Sequence, residues 1–237
     1  MYKSMRIFVL ALLVLTAALP AAWAAEKNTD NTEIQVNGSH QEEIVPDIAF
    51  INLGTVTEAE TVTEAQTKNA AVSDRVHSQL TSLGIKSEYI KTANYSVTPL
   101  YTNDDSGRRL QTVKGYQVTN SIIVTVAADK AGETIDAALK AGANQVNSIR
   151  FSSRTESDVK NAALAQAVRD ALSKADAIAA ALNKRVVKVT KVSENGVNLQ
   201  SPEVTPRLYA KADLASTPIS AGLLLLSANV QVTVELE

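Results

Sequence analysis

The chain contains no cysteine. Disulfide staples, thiolate metal ligands, a thiol nucleophile and lipid attachment through an N-terminal cysteine are therefore all excluded. Histidine is nearly as scarce, since His40 and His77 are the only two. A multi-histidine metal centre is excluded, and any hydrolytic triad would have to use one of them. Aromatic residues make up 4% of the chain, too few for the interfacial girdles of a membrane β-barrel. A basic excess is also missing: 23 Lys and Arg stand against 25 Asp and Glu, a net charge of −2. Such a chain has no electrostatic attraction to nucleic acid.

What is present begins with an export signal. Lys3 and Arg6 precede an apolar run from Ile7 to Leu19, followed by the small residues Ala21-Ala22-Trp23-Ala24. This order is that of a cleavable secretory signal peptide with an A-x-A site, and it predicts cleavage after Ala24. The run is shorter than the roughly 20 residues of a membrane-spanning helix. Cleavage would remove Met1, Met5 and Trp23, leaving a mature chain without sulfur or tryptophan and more acidic still. Residues 25–237 then fold without staples, as one domain or as two sub-domains, and are expected to contain no membrane span.

Hydrophobic periodicity divides this region. Ile34 and Val36 alternate with polar neighbours up to Asn37-Gly38, which predicts a short strand and a turn. Pro46-Asp47 opens a second strand through Ile48, Phe50 and Ile51 towards Val56. Thr61 with Glu64 is a capping box. It leads a helix whose stripe comprises Val62, Ala65, Asn69, Val72, Val76, Leu80 and Leu83, with Asn69 its one polar member, and which ends at Gly84. Strands from Tyr89 to Tyr101 and from Tyr116 to Val126 flank the turn formers Asn103 to Gly107, predicting a hairpin.

A short helix from Glu133 to Lys140, stopped at Gly142, and a strand from Val146 to Ser152 come next. Thr155 with Asp158 repeats the capping pattern before the longest helix, with a stripe of Leu164, Val168, Ala171, Ala175, Ile178 and Leu182. Ten alanines lie between Ala162 and Ala181, so this helix can approach a sheet closely. Val186 to Val192 reads as a strand, and Asn195 to Gly222, with Pro202, Pro206 and Pro218, as a long irregular loop. Val230, Val232, Val234 and Leu236 alternate strictly as a last strand. The order predicts an α+β fold, a largely antiparallel sheet with two long helices and one short helix packed on it.

Chemistry-bearing motifs are sparse. Ser73, Asp74 and His77 share one helical turn, but no G-x-S-x-G elbow accompanies them. Asn103, Asp105 and Gly107 imitate a calcium loop, yet Lys114 stands where the bidentate Glu belongs. No phosphate-binding glycine pattern occurs. Lys184, Arg185, Lys188 and Lys191 form the densest basic cluster, and the first two complement the dipole of the preceding helix. No catalytic, cofactor-binding or metal-ligating residue is assigned, and no cofactor is expected.

Several stretches together carry a family pattern: Pro46-Asp47-Ile48-Ala49, Leu83-Gly84-Ile85, Lys91-Thr92-Ala93-Asn94-Tyr95-Ser96-Val97-Thr98-Pro99-Leu100-Tyr101 and Lys114-Gly115-Tyr116-Gln117-Val118. Ile135-Asp136-Ala137-Ala138, Gly142-Ala143-Asn144 and Val230-Gln231-Val232-Thr233-Val234 continue it. The chain resembles the SIMPL-domain family of exported bacterial proteins, which includes periplasmic immunogenic proteins. It departs where Pro-Gly is expected before the last strand and Ala221-Gly222 stands instead. The resemblance implies a periplasmic location, an α+β fold, homo-oligomers in some members and a link to oxidative-stress tolerance. It implies no catalytic residue. The leading expectation is thus a non-enzymatic periplasmic protein that self-assembles or binds an envelope partner. The alternatives are a binding protein for a small ligand or peptide, using an exposed strand or the residue 195–222 loop, and a hydrolase acting through His77 or the acidic hairpin turn.

Overall fold

The computed structural model describes residues 32–103, 109–200 and 217–237. The signal segment, the centre of the acidic turn and the centre of the long loop, including Pro202 and Pro206, lie outside them. Strands β1 (Thr32–Ile44) and β2 (Ile48–Ala59) lead into α1 (Val62–Ser82), then β3 (Ile90–Asn103) and β4 (Arg109–Ala127). Helix α2 (Ala131–Ala141), β5 (Gln145–Ser152), α3 (Glu156–Ala181), β6 (Val186–Gln200) and β7 (Leu224–Leu236) follow. The α+β class and the antiparallel pairing are as the sequence predicts. The strands form two sheets, ordered β1-β7-β6 and β3-β4-β2-β5, where a single sheet was expected.

Each sheet buries one face under helix. Ala49, Ile51 and Leu53 of β2 meet Val124 of β4, Phe151 of β5, Val76 and Leu80 of α1 and Ile135 of α2. Val36 of β1 and the alternate residues Leu226 to Leu236 of β7 meet the alanines of α3. Ile44 and Leu199 pack against both clusters, and so join them.

The α1 cap forms as expected: Thr61 Oγ1 accepts from the Glu64 backbone N–H at 3.2 Å. Gly142 ends α2 with φ +116, a left-handed cap that a side chain would strain. Asn144 next to it bonds both backbone groups of Val56, accepting from its N–H at 2.9 Å and donating to its C=O at 2.8 Å. Its amide thereby extends the β2–β5 ladder. Asp136 of α2 accepts from the Thr217 N–H at 2.9 Å and from its hydroxyl, anchoring the segment that enters β7.

Four expectations are corrected. Asn37-Gly38 is not a turn, because β1 runs straight through it, paired with β7 over its whole length. Gly38 is there for space: a Cβ would lie 2.0 Å from the Ala167 carbonyl oxygen of α3. Thr155 does not cap α3, since its backbone (φ −96, ψ 26) is outside the extended region and its side chain bonds no helix N–H. The buried ladder of α3 is Ala163, Ala167, Ala171, Ala175 and Ala179. It shares only Ala171 and Ala175 with the predicted stripe, because close approach selects the smallest side chains and leaves Ile178 and Leu182 exposed. Finally, β6 claims the first end of the expected 195–222 loop, residues 195–200, by pairing with β7.

Candidate functional site

Helix α1 lies over β2 and β4 with a narrow buried stripe of Ala65, Asn69, Val76 and Leu80. It stops short of β3, so a cleft of about 190 Å³ opens between helix and edge strand. Leu53, Val76, Ile90 and Ile122 form its apolar floor, while Ser73, Asp74 and His77 of α1 face Thr92 of β3 and Asn120 of β4. A β-bulge between Thr92 and Asn94 keeps Tyr95 on the helix side, opposite Asn120, where its hydroxyl meets Gln66 Nε2 at 3.5 Å.

The wall is a hydrogen-bonded chain. Asn69 Nδ2 donates to the carbonyls of Thr55 (2.9 Å) and Val118 (3.2 Å), tying α1 to two strands. Asn69 Oδ1 accepts from the Ser73 hydroxyl at 3.3 Å, and Ser73 Oγ accepts from Asn120 Nδ2 at 3.0 Å. Asn120 Oδ1 is buried and has no partner among the described residues. The structure thus brings Ser73, Asp74 and His77 to one cleft, but directs the serine proton to Asn69 and not to His77. His40 lies on β1 in the other sheet, 3.6 Å from Glu42. Asn120 and Ser73 were not picked out as partners in the sequence; the polar interruption at Asn69 was the available signal.

A second cavity, of about 360 Å³, lies where the end of α1 meets the start of α2. Its cations are paired: Lys130 with Glu133 at 3.1 Å, Lys86 with Glu88 at 3.8 Å and Arg154 with Asp47 at 3.9 Å. Among the described residues, no group of three His, Asp or Glu is placed to hold a metal ion.

The two edges of the three-stranded sheet differ. On β1, the Asp170 carboxylate of α3 accepts from the Ser39 N–H at 2.9 Å, and Lys174 Nζ donates to the Asn37 carbonyl at 3.1 Å. Asp170 and Lys174 are themselves paired at 2.6 Å, so this ion pair occupies backbone groups at the middle of that edge. Hydrogen bonds from both partners hold the Asp170 carboxyl below its ordinary range, that of Lys174 first. On β6, nothing among the described residues pairs with the outer edge. Val187, Val189 and Val192 are 44%, 42% and 54% exposed there. Arg185 of the basic cluster is bonded to Glu237 at 3.1 Å, while Lys188 and Lys191 lie along the strand with no ion pair among the described residues.

The SIMPL family model, described as a protein of unknown function (DUF541), matches residues 34–234. The chain belongs to the SIMPL family. The matched span runs from β1 to β7, and so includes both sheets and all three helices. The chain is 29% identical over 234 residues to the 26 kDa periplasmic immunogenic protein of Brucella melitensis, covering 95% of this chain and 94% of that protein. The Brucella abortus protein of the same name is similar to the same extent. Escherichia coli K12 has a SIMPL relative, the uncharacterized protein YggE, 28% identical over 221 residues and covering 92% and 86% of the two chains. Two of these relatives are thus periplasmic by name. Among the described residues of this SIMPL chain, no helix is long and apolar enough to cross a membrane.

Proposed function

We propose that this chain is exported to the periplasm, loses residues 1–24, and works there as a non-enzymatic SIMPL protein that self-associates through the outer edge of β6. The observation that carries the reading is the contrast between the two edges of one sheet. An edge strand offers unpaired N–H and C=O groups to another strand, and folds commonly block it. Here β1 is blocked by Asp170 and Lys174, whereas β6 has no outer partner among the described residues and carries exposed valines. Ile178 in the last turn of α3, with Leu182 just beyond it, extends the apolar exposure towards β6.

A second copy suits this edge. Antiparallel apposition of two β6 strands sets the basic half, Lys188 and Lys191, against the partner's half containing Glu194. A two-fold, self-complementary contact of this kind closes at a dimer. Periplasmic location is supported by the signal-like N-terminus and by the names of the Brucella relatives.

Because the chain has no cysteine, single introduced cysteines give a clean test. Thr190→Cys, Val192→Cys and Glu194→Cys are expected to include variants that form disulfide-linked dimers under oxidation, whereas Gln35→Cys on β1 stays monomeric on a denaturing gel. Crosslinking through β1 alone, or through neither edge, would refute the assignment.

A further inference from the structure

We propose that the cleft between α1 and β3 binds a small organic cation, a primary ammonium group on a short apolar body. This site lies on the four-stranded sheet and does not depend on self-association through β6.

Hydrogen-bond accounting sets the sign of the ligand. In the cleft wall, the Ser73 proton is committed to Asn69 Oδ1 and one Asn120 Nδ2 proton is committed to Ser73. Asn120 Oδ1 is left as a buried acceptor without a donor. Buried polar groups are normally paired, and an exception calls for a missing partner. At the mouth, Asp74 carries a carboxylate with no ion pair among the described residues, and none of their Lys or Arg side chains lines the cleft. The wall and mouth therefore offer acceptors and negative charge. An anion would meet the Asp74 charge, with the His77 imidazole, the second Asn120 Nδ2 proton and hydroxyls as its donors, whereas an ammonium group supplies three donors for the unpaired acceptor and the charge opposite to Asp74.

The floor sets the body of the ligand. Leu53, Val76, Ile90 and Ile122 leave an apolar surface that water wets poorly. A volume of about 190 Å³ is the share of about six water molecules in the liquid, which admits a chain of four to six carbons bearing one polar end. Tyr95, held on the helix side of β3 by the bulge, is 50% exposed and can cover the upper end of such a chain.

The probe is n-pentylammonium, titrated into the isotopically labelled mature protein and followed by amide NMR, with pentanoate and 1-pentanol as matched controls. The expected result is saturable shifts at Ser73, His77, Thr92 and Asn120, including the Asn120 side-chain amide, with β7 signals unmoved. Asp74→Asn, at an exposed helix position, should weaken binding about tenfold. Thr92→Phe, at an exposed strand position, should plug the cleft and abolish the shifts while the β7 signals report an intact fold. Pentanoate or pentanol binding as tightly as the amine would overturn the proposal. So would unchanged affinity in Asp74→Asn, shifts that survive Thr92→Phe, or the absence of saturable shifts at the cleft.

Discussion

Gly38 on β1 faces Ala167 on α3 so closely that a Cβ on the glycine would come within 2.0 Å of the Ala167 carbonyl oxygen. The obstacle is backbone, which cannot rotate away. Gly38→Ala should therefore lower stability by about 1–3 kcal/mol, the range of overpacking in a tight core, and Gly38→Val by more. Urea denaturation followed by circular dichroism measures this. An unchanged midpoint for Gly38→Val would contradict the packing described.

Asn69 ties α1 to β2 and β4 through two buried carbonyls. Replacing it by Leu keeps the volume but strands the Thr55 and Val118 oxygens, which should cost about 1–3 kcal/mol. The same urea experiment applies, and a stabilised Asn69→Leu would show that the polar chain is not needed to hold the helix.

Acid should weaken the α3 side of the fold. Hydrogen bonds from Lys160 and then Ser152 hold the Glu156 carboxyl below its ordinary range, and those from Lys174 and then Ser39 do the same for Asp170. A carboxylate whose folded pKa is depressed adds stability above its unfolded pKa, and that stability is lost as pH falls through the folded pKa. Stability should thus decline from about pH 4.5 downward, and less steeply in Glu156→Gln. Both groups are substantially exposed, so salt should reduce the effect. A wild type and a Glu156→Gln with identical acid limbs would exclude this contribution.

Removing the guard on β1 should create a second open edge on the three-stranded sheet. In Asp170→Asn combined with Lys174→Ala, the Ser39 N–H loses its charged acceptor and the Asn37 C=O loses its donor. Light scattering should then show species larger than those of wild type. Identical scattering would mean that the ion pair does not restrain assembly.

Export leaves two simple signatures. Trp23, Met1 and Met5 all precede the expected cleavage after Ala24, so secreted protein should show no tryptophan fluorescence. Mild peroxide should also leave its mass unchanged. Tryptophan emission from secreted protein would place cleavage upstream of Trp23, or show that it had not occurred.

Local rules carried part of this structure into view. The Thr61–Glu64 cap, the β3–β4 hairpin, the Gly142 stop and the alternation in β7 are each determined by residues close in sequence, and each was readable. Gly38 was misread as a turn because its role depends on Ala167, more than a hundred residues away. The face that α3 buries was equally hidden: alanine is common all round that helix, and apolar Ile178 and Leu182 outrank it on any hydrophobic scale. Division into two sheets depends on β7 inserting between β1 and β6, a non-local choice without a local mark. At the cleft, the Ser73, Asp74 and His77 spacing was visible on one helix, whereas Asn120, which sets the hydrogen-bond direction, is supplied by another element.

The account turns on the open edge of β6. Mature wild-type protein and Val192→Lys, compared by size-exclusion chromatography with multi-angle light scattering at micromolar concentration, test it most directly. Val192 is 54% exposed, so the substitution spares the core while placing a second charge beside Lys191. The account predicts a dimer for wild type and a folded monomer for Val192→Lys; a monomeric wild type, or assemblies of equal mass from both proteins, would contradict it.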